Sequence, residues 1–453
     1  LYHLATEQTE AVSVRRFAAS LADWLGMPRS GLNFDGWEAA LTGTASLMVS
    51  RAESRGTAAA LLILDEFPYL SHETPGLPSI VQALYDEFGP GGPSSAPVRL
   101  ILCGSAISVM SELLSGTKAL RGRGALELRV KPFTYRDARA YWKIDNTEAA
   151  FIHHALIGGT PGYRDLVPDP SVPENPARIG EWLARNVLRP SMPLFSEATR
   201  VVHEDPRIRD TAVYASLMAV IAAGESSPTK IGGLLGRPSA SLSYQLGMLE
   251  ATGFIERRRN LLVDRRPALS VADPMVRLHH LVIEPHLAEL EAGRATNVWD
   301  RAQHTVDSKI LGPHFESIAI EWVSRHARDE AGIDVGIVGQ ATVACRAHKT
   351  SHEIDVLAFE PGARSGAAPA AGIRLIGEAR SRDRAPGVDQ LERLQHIRDV
   401  LGATGSKVDE AALGVFSRAG FGTDVASAAT RSRGRTLLVG LDHLYGETTR
   451  GLE

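Results

Sequence analysis

The sequence predicts an α/β protein built on a parallel sheet, with helical and mixed domains behind it. Leu61-Leu62-Ile63-Leu64 is a continuous apolar run that stops at two adjacent carboxylates, Asp65-Glu66. A second run, residues 98–103, stops at Gly104-Ser105. Stretches of helical period separate such runs, and that alternation makes a parallel sheet with helices on its faces. Strands that end in small or charged residues put a ligand site at the carboxyl edge of the sheet.

The elements follow in order. Residues 1–5 read as a short apolar strand, and residues 12–25, 37–51 and 80–88 carry helical periodicity. Strands are expected at 59–64, 98–102 and 125–130, with a Gly/Pro/Ser-rich loop at 89–97. Residues 133–202 form a small helical unit, broken by the rigid turn Ile157-Gly158-Gly159-Thr160-Pro161-Gly162-Tyr163. Short helices and a hairpin occupy 206–273. An amphipathic helix at 315–328 precedes strands at 335–338, 354–359 and 374–376, and the small-residue stretch 361–372 reads as a mobile loop. The expected domains are residues 1–134, 135–205, 206–300 and 301–453.

Composition narrows the function classes. A chain of 453 residues holds two to four domains, and 44% hydrophobic content lets each bury a core. A net charge of −4 excludes a globally basic nucleic-acid coat protein, though not a local basic face. Cys103 and Cys345 stand far apart, which argues against a disulfide framework or a cysteine zinc site and fits a reducing cytoplasm. The longest apolar runs, such as residues 58–64, cannot span a bilayer, so no membrane partner is expected. His153-His154 and His279-His280 are adjacent pairs whose side chains a helix sends apart, so they lack metal-ligand spacing.

An apolar strand ending in Asp-Glu is the Walker B pattern of P-loop NTPases, in which the first acid serves Mg²⁺ and the second the attacking water. The companion Gly-x-x-x-x-Gly-Lys-Ser/Thr occurs nowhere in the chain, and Leu1 is not a methionine. Five segments carry a wider resemblance: Ala5-Thr6-Glu7-Gln8, Leu64-Asp65-Glu66-Phe67-Pro68-Tyr69-Leu70, Leu102-Cys103-Gly104-Ser105, Val130-Lys131-Pro132-Phe133 and Gly158-Gly159-Thr160-Pro161. In family order, they resemble the archaeal-type, STAND-like P-loop ATPases with a C-terminal nuclease-like domain. The resemblance implies an incomplete P-loop NTPase sheet, a helical lid, a winged helix-turn-helix and a C-terminal α/β nuclease-like domain. The phosphate loop of that family lies just before the Ala-Thr-Glu-Gln strand, so the expectation is a chain that starts just after it.

The resemblance implies ATP and Mg²⁺ as cofactors, with Asp65 on the metal and Glu66 polarising water. The pair also reads as a cap for the turn and helix that follow. Ser105 resembles the polar group beside Walker B that senses the γ-phosphate, or serves as a helix N-cap. Arg121 and Arg123 lie in a Gly-rich turn, placed either to meet phosphate charge or to face solvent. Pro161 matches a turn near the base in related NTPases, and Gly and Pro break a helix in any case. Related ATPases assemble when nucleotide-bound, so a homo-oligomer is a further expectation.

Residues 212–223, 229–235 and 239–252 read as three helices, followed by a basic hairpin, the order of a winged helix. Ser241, Tyr244 and Gln245 open the recognition helix, where base edges are read. Arg257, Arg258, Arg259, Arg265 and Arg266 fall in the wing, suited to the phosphates of double-stranded DNA. Between Arg207 and Pro267 nine Lys/Arg face five Asp/Glu, a local excess of cation. Such modules also serve as interdomain contacts that touch no DNA.

The C-terminal pattern resembles the PD-(D/E)xK nuclease core, with Glu316, Asp355 and Glu378-Ala379-Arg380 in the places of helix acid, strand acid and Glu-x-Lys. Acids so placed can bind Mg²⁺. Arg380 stands where that core has lysine, and a guanidinium cannot act as a general base. The expectation is a nuclease-like fold without nuclease activity. The complete protein is expected to couple ATP state to domain arrangement on or near DNA, or else to be a non-catalytic DNA-binding or regulatory scaffold with degenerate sites.

Overall fold

The computed structural model describes residues 1–453 apart from 94–95, 204–207, 209, 259, 264–267, 346, 365–370, 433–434 and 448–453. Two compact units emerge. Leu1–Val130 makes up the body of the first, and Lys131–Val202 with the chain from Asp210 onward makes the second. No helix among the described residues is long and apolar enough to cross a membrane.

The first unit is a parallel sheet of β1 (Tyr2–Leu4), β2 (Ala60–Asp65) and β3 (Val98–Leu102), with β2 in the middle. Helices α1 (Glu10–Leu25), α2 (Trp37–Ser54), α3 (Phe67–Glu73), α4 (Leu77–Phe88) and α5 (Ile107–Leu113) connect and follow the strands. Val14, Phe17, Ala18 and Leu21 repeat at helical spacing on α1 and are buried, and Gly26 ends the helix in the left-handed region. One sheet face packs Leu62, Leu64 and Val98 against Phe17, Leu41 and Leu84. The other face carries Tyr2, Leu4, Leu61 and Ile101, all exposed. Parallel sheets are ordinarily covered on both faces, so this open apolar face is unusual.

The strand expected at 125–130 does not form. Leu126, Leu128 and Val130 are 78%, 72% and 83% exposed. Their alternation is that of a half-buried strand, but no described strand offers them a ladder. Residues 12–25, 37–51 and 80–88 do lie in α1, α2 and α4.

In the second unit, α6 (Tyr135–Trp142) and α7 (Thr147–Ile157) start at side-chain caps, Thr134 and Asn146. After α8 (Ile179–Asn186) and α9 (Pro193–His203) come α10 (Thr211–Ala222), α11 (Pro228–Leu234) and α12 (Ser243–Thr252). The antiparallel hairpin of β4 (Ile255–Arg258) and β5 (Ala268–Val271) completes a helix–helix–helix–hairpin order. Helices α13 (Pro274–Leu278), α14 (Leu287–Glu291) and α15 (Ala295–Thr305) lead to α16 (Gly312–Arg325) and α17 (Ala327–Ala331).

The C-terminal sheet has the order β10-β9-β8-β7-β6. Strands β6 (Val338–Cys345), β7 (Thr350–Phe359) and β8 (Ile373–Arg380) form an antiparallel meander. Helix α18 (Asp389–Ala403) crosses to β9 (Ala412–Ser417), parallel to β8, and α19 (Thr423–Arg431) leads to β10 (Thr436–Gly440) before α20 (Leu441–Leu444). The expected strand at 335–338 moves to Val338–Cys345, and the expected helix 315–328 breaks at His326 into α16 and α17. Of the expected 361–372 loop, residues 365–370 lie outside the described residues.

One core runs through most of this unit. Phe151 and Trp182 from the helical segment join Phe315 and Trp322 of α16 and Val356 and Phe416 of the sheet. The other sheet face packs Val343, Ile354, Leu357 and Val415 against Leu394 and Ile397 of α18. Polar ties reinforce the first contact: Arg136 forms a two-pronged ion pair with Glu330, and the Tyr135 hydroxyl donates to the Leu444 carbonyl at 2.6 Å.

Candidate functional site

Asp65 ends β2 and Glu66 follows it with φ +53°, a left-handed conformation that a residue with a Cβ seldom takes. Such a conformation costs on the order of 1 kcal/mol and gathers at functional sites. Tyr2 donates its hydroxyl to Asp65 Oδ2 at 2.7 Å, and the Glu66 N–H donates to Oδ1 at 3.0 Å. The Asp65 carboxylate, beside it, raises the Tyr2 hydroxyl pKa chiefly through that hydrogen bond. Just beyond β3, Ser105 donates its N–H and its hydroxyl to Glu66 Oε2, at 3.3 and 3.2 Å. Gly104 allows the approach, because a Cβ there would lie 2.4 Å from the Pro68 ring. Asp65, Glu66 and Ser105 are thus gathered at one end of the sheet. A pair of carboxylates at an exposed strand end is an all-oxygen donor set, which fits a hard cation such as Mg²⁺.

The two turn arginines are otherwise engaged. Arg123 makes a two-pronged pair with Asp86 of α4, at 2.7 and 2.8 Å, and Arg121 donates to the Gly116 carbonyl. Pro161 belongs to the second unit, where it opens a short 3₁₀ turn and its carbonyl accepts from Tyr141 at 3.3 Å. The neighbouring glycines have a packing reason: Gly158 has φ +85°, and a Cβ on Gly159 would lie 2.1 Å from the Phe133 carbonyl.

The three C-terminal acids come from α16, β7 and β8, and the charge of Asp355 acts on both Glu316 and Glu378. Burial and then Asp355 push the Glu316 carboxyl up to about 7, while Gln340 donates to it at 2.8 Å. Burial raises Asp355, which accepts from the Ala379 N–H at 2.9 Å. Glu378, only 3% exposed, is also raised by burial. Its Oε1 pairs with both Arg380 and Arg393, and its Oε2 is buried without a partner. Two guanidinium groups therefore already engage the Glu378 carboxylate. Among the described residues, the groups that bring three ligand atoms within 4.8 Å of one another do not include this trio.

On α12 and the turn before it, Ser241 and Tyr244 are exposed, and Gln245 is half-buried with its Oε1 unpartnered. Arg257 pairs with Glu250 at 3.0 Å. Arg258 bonds Glu256 and reaches Ser317 of α16 at 3.0 Å. Leu261, in the hairpin loop, joins the C-terminal sheet core. Arg259, Arg265 and Arg266 lie outside the described residues.

Two metal-capable groups were not expected. A π-helical turn at His279–Ile283 brings His279, His280 and Glu284 within ligand range, which corrects the expectation from ordinary helical geometry. Cys345, His348 and His396 form the second group, which the cysteine count did not lead one to expect. Its signal was present as Cys-x-x-His-x-x-x-His over residues 345–352.

No family model matches the chain. An uncharacterized protein of Methanocaldococcus jannaschii is 24% identical over 268 residues, which is 58% of this chain and 57% of that protein. The match thus spans little more than half of the curated relative. Among solved structures, a Walker-type ATPase of Pyrococcus abyssi is 17% identical with a TM-score of 0.41, covering 62% of this chain and 83% of its own. The ORC2 protein of Aeropyrum pernix, in ADPNP and ADP complexes, is 12% identical with a TM-score of 0.34, covering 66% and 80%. Both scores lie below 0.5.

Proposed function

We propose that this chain carries the hydrolytic half of an ATP site and belongs to an ATPase that uses nucleotide state to rearrange its domains. The observation that carries the reading is the joint placement of Asp65, Glu66 and Ser105, with the left-handed Glu66 held by its carboxylate to the strand tip beside it. Asp65 would serve Mg²⁺, which supplies charge neutralisation at the phosphates, and Glu66 orients and polarises the attacking water. Ser105 fixes the Glu66 carboxylate. Arg121 and Arg123, tied to Gly116 and Asp86, are left as turn residues in this reading.

The reading needs a Gly-x-x-x-x-Gly-Lys-Ser/Thr loop, which none of the 453 residues supplies. The test is the coding sequence upstream of Leu1, checked against the intact native mass. An in-frame phosphate loop supports the ATPase reading. A stop codon there, with a mass near 48.7 kDa, overturns it.

The C-terminal sheet, with α16 ahead of β6-β7-β8-α18-β9, supports a nuclease-like domain with a degenerate site. Arg380 and Arg393 on Glu378 favour a scaffold role for it over phosphodiester cleavage. Exposed Tyr244 and Ser241 support a DNA partner through α12, while Arg257 and Arg258 act as internal ties.

A further inference from the structure

We infer that Cys345, His348 and His396, with His352 at the edge, form a binding site for a zinc-class divalent cation, which fastens the β6–β7 hairpin to α18. The register places the Cys345 ligand beside His352. Val343 pairs with His352 and Cys345 with Thr350, so Cys345 and His352 share one sheet face as diagonal neighbours. Lys349, at φ +49°, helps close the tight turn that carries His348. Helix α18 packs over β6 and brings His396 to the same place.

The distances match tetrahedral zinc. Zn–S and Zn–N bonds of about 2.3 and 2.05 Å at the tetrahedral angle separate sulfur from nitrogen by about 3.6 Å. Cys345 Sγ lies 3.3 Å from His348 Nδ1 and 3.6 Å from His396 Nε2. The His348 and His396 rings are 5.1 Å apart between centroids, and so are those of His352 and His396.

A second observation is independent of these distances. His352 Nε2 is buried and has no hydrogen-bond partner. An orphaned buried nitrogen beside a thiol and two imidazoles costs free energy unless something binds it. A soft thiolate with imidazoles selects zinc over Mg²⁺ or Ca²⁺. On binding, the Cys345 thiol loses its proton to solvent. One turn before His396 on α18, Arg393 reaches Glu378, so the same clamp would hold that guanidinium on the acid.

The experiment is a cobalt titration of the purified full chain after chelation, followed by absorption. The expected result is saturation at one equivalent with a sulfur-to-cobalt charge-transfer band, removed by added Zn²⁺. Cys345→Ser should lose the band, and His348→Ala or His396→Ala should weaken cobalt binding at least tenfold. If Cys345→Ser does not fold, His348→Ala in the exposed turn carries the test: tenfold weaker binding with an unchanged far-UV spectrum. Absence of the band in the wild type overturns the inference, because hydrogen bonding alone then joins these groups. Binding without a band points instead to His279, His280 and Glu284, which hold no sulfur. A band that persists in Cys345→Ser assigns the sulfur to Cys103, and either outcome also overturns it.

Discussion

Ser105 grips one oxygen of Glu66 with two donors, its backbone N–H and its hydroxyl, across 39 residues of chain. The serine makes a positioning contact that aims the acid. If the proposed ATPase function holds, Ser105→Ala should lower kcat about tenfold or more with KM for ATP little changed. Ser105→Thr, which keeps the hydroxyl, should restore most of the rate. A KM effect alone would assign Ser105 to nucleotide binding.

Glu316 should make the protein less stable as pH rises. Its folded pKa, pushed up to about 7, lies above the usual glutamate value, so the folded state binds more protons between about 4.5 and 7. The favourable contribution is complete below 4.5 and lost as pH rises through 7. Glu316→Gln, measured without divalent cations, should therefore melt higher than wild type at pH 8, by on the order of 2 kcal/mol of stability. The gap should close at pH 4.5, and equal gaps at both pH values would contradict the assignment.

Buried histidines act with the opposite sign. Burial lowers His153 to about 3 and His154 to about 4, and takes His314 well below its ordinary value. His153 lies between Trp142 and Trp182, and His154 Nδ1 is 3.1 Å from His314 Nε2. Between pH 6.5 and 4 the unfolded chain binds the extra protons, so stability falls as pH drops through that window. His153→Phe should flatten the melting-temperature profile there. An unchanged slope would show that His153 is protonated at little cost.

If DNA binds α12, Tyr244→Ala should weaken binding of a double-stranded probe. Arg257→Ala should leave the salt dependence of that binding unchanged, because Arg257 is paired with Glu250. A salt slope reduced by about one in Arg257→Ala would return that arginine to the phosphate contacts.

Local signals explain what the sequence revealed. The Asp65-Glu66 site is legible because a strand, its end and two acids are contiguous, and Gly104-Ser105 repeats that pattern one strand over. The helix–helix–helix–hairpin order is legible from periodicity and turn residues. Residues 125–130 misled because alternation specifies a strand only when a neighbour offers a ladder. Charge on a hairpin could not reveal that Arg258 reaches Ser317, 59 residues along. The Cys345 group was hidden because His396 arrives from a helix 51 residues away. His279 and His280 converge through a π turn that no residue pattern announces.

Under the proposed function, Glu66 acts on water at an ATP site. The measurement is ATP binding and turnover by the protein with its phosphate loop, wild type against Glu66→Gln. The account predicts unchanged ATP affinity and turnover reduced at least about a hundredfold, the usual scale for losing a general base. Equal turnover in Glu66→Gln, or a wild type that binds no ATP, would contradict it.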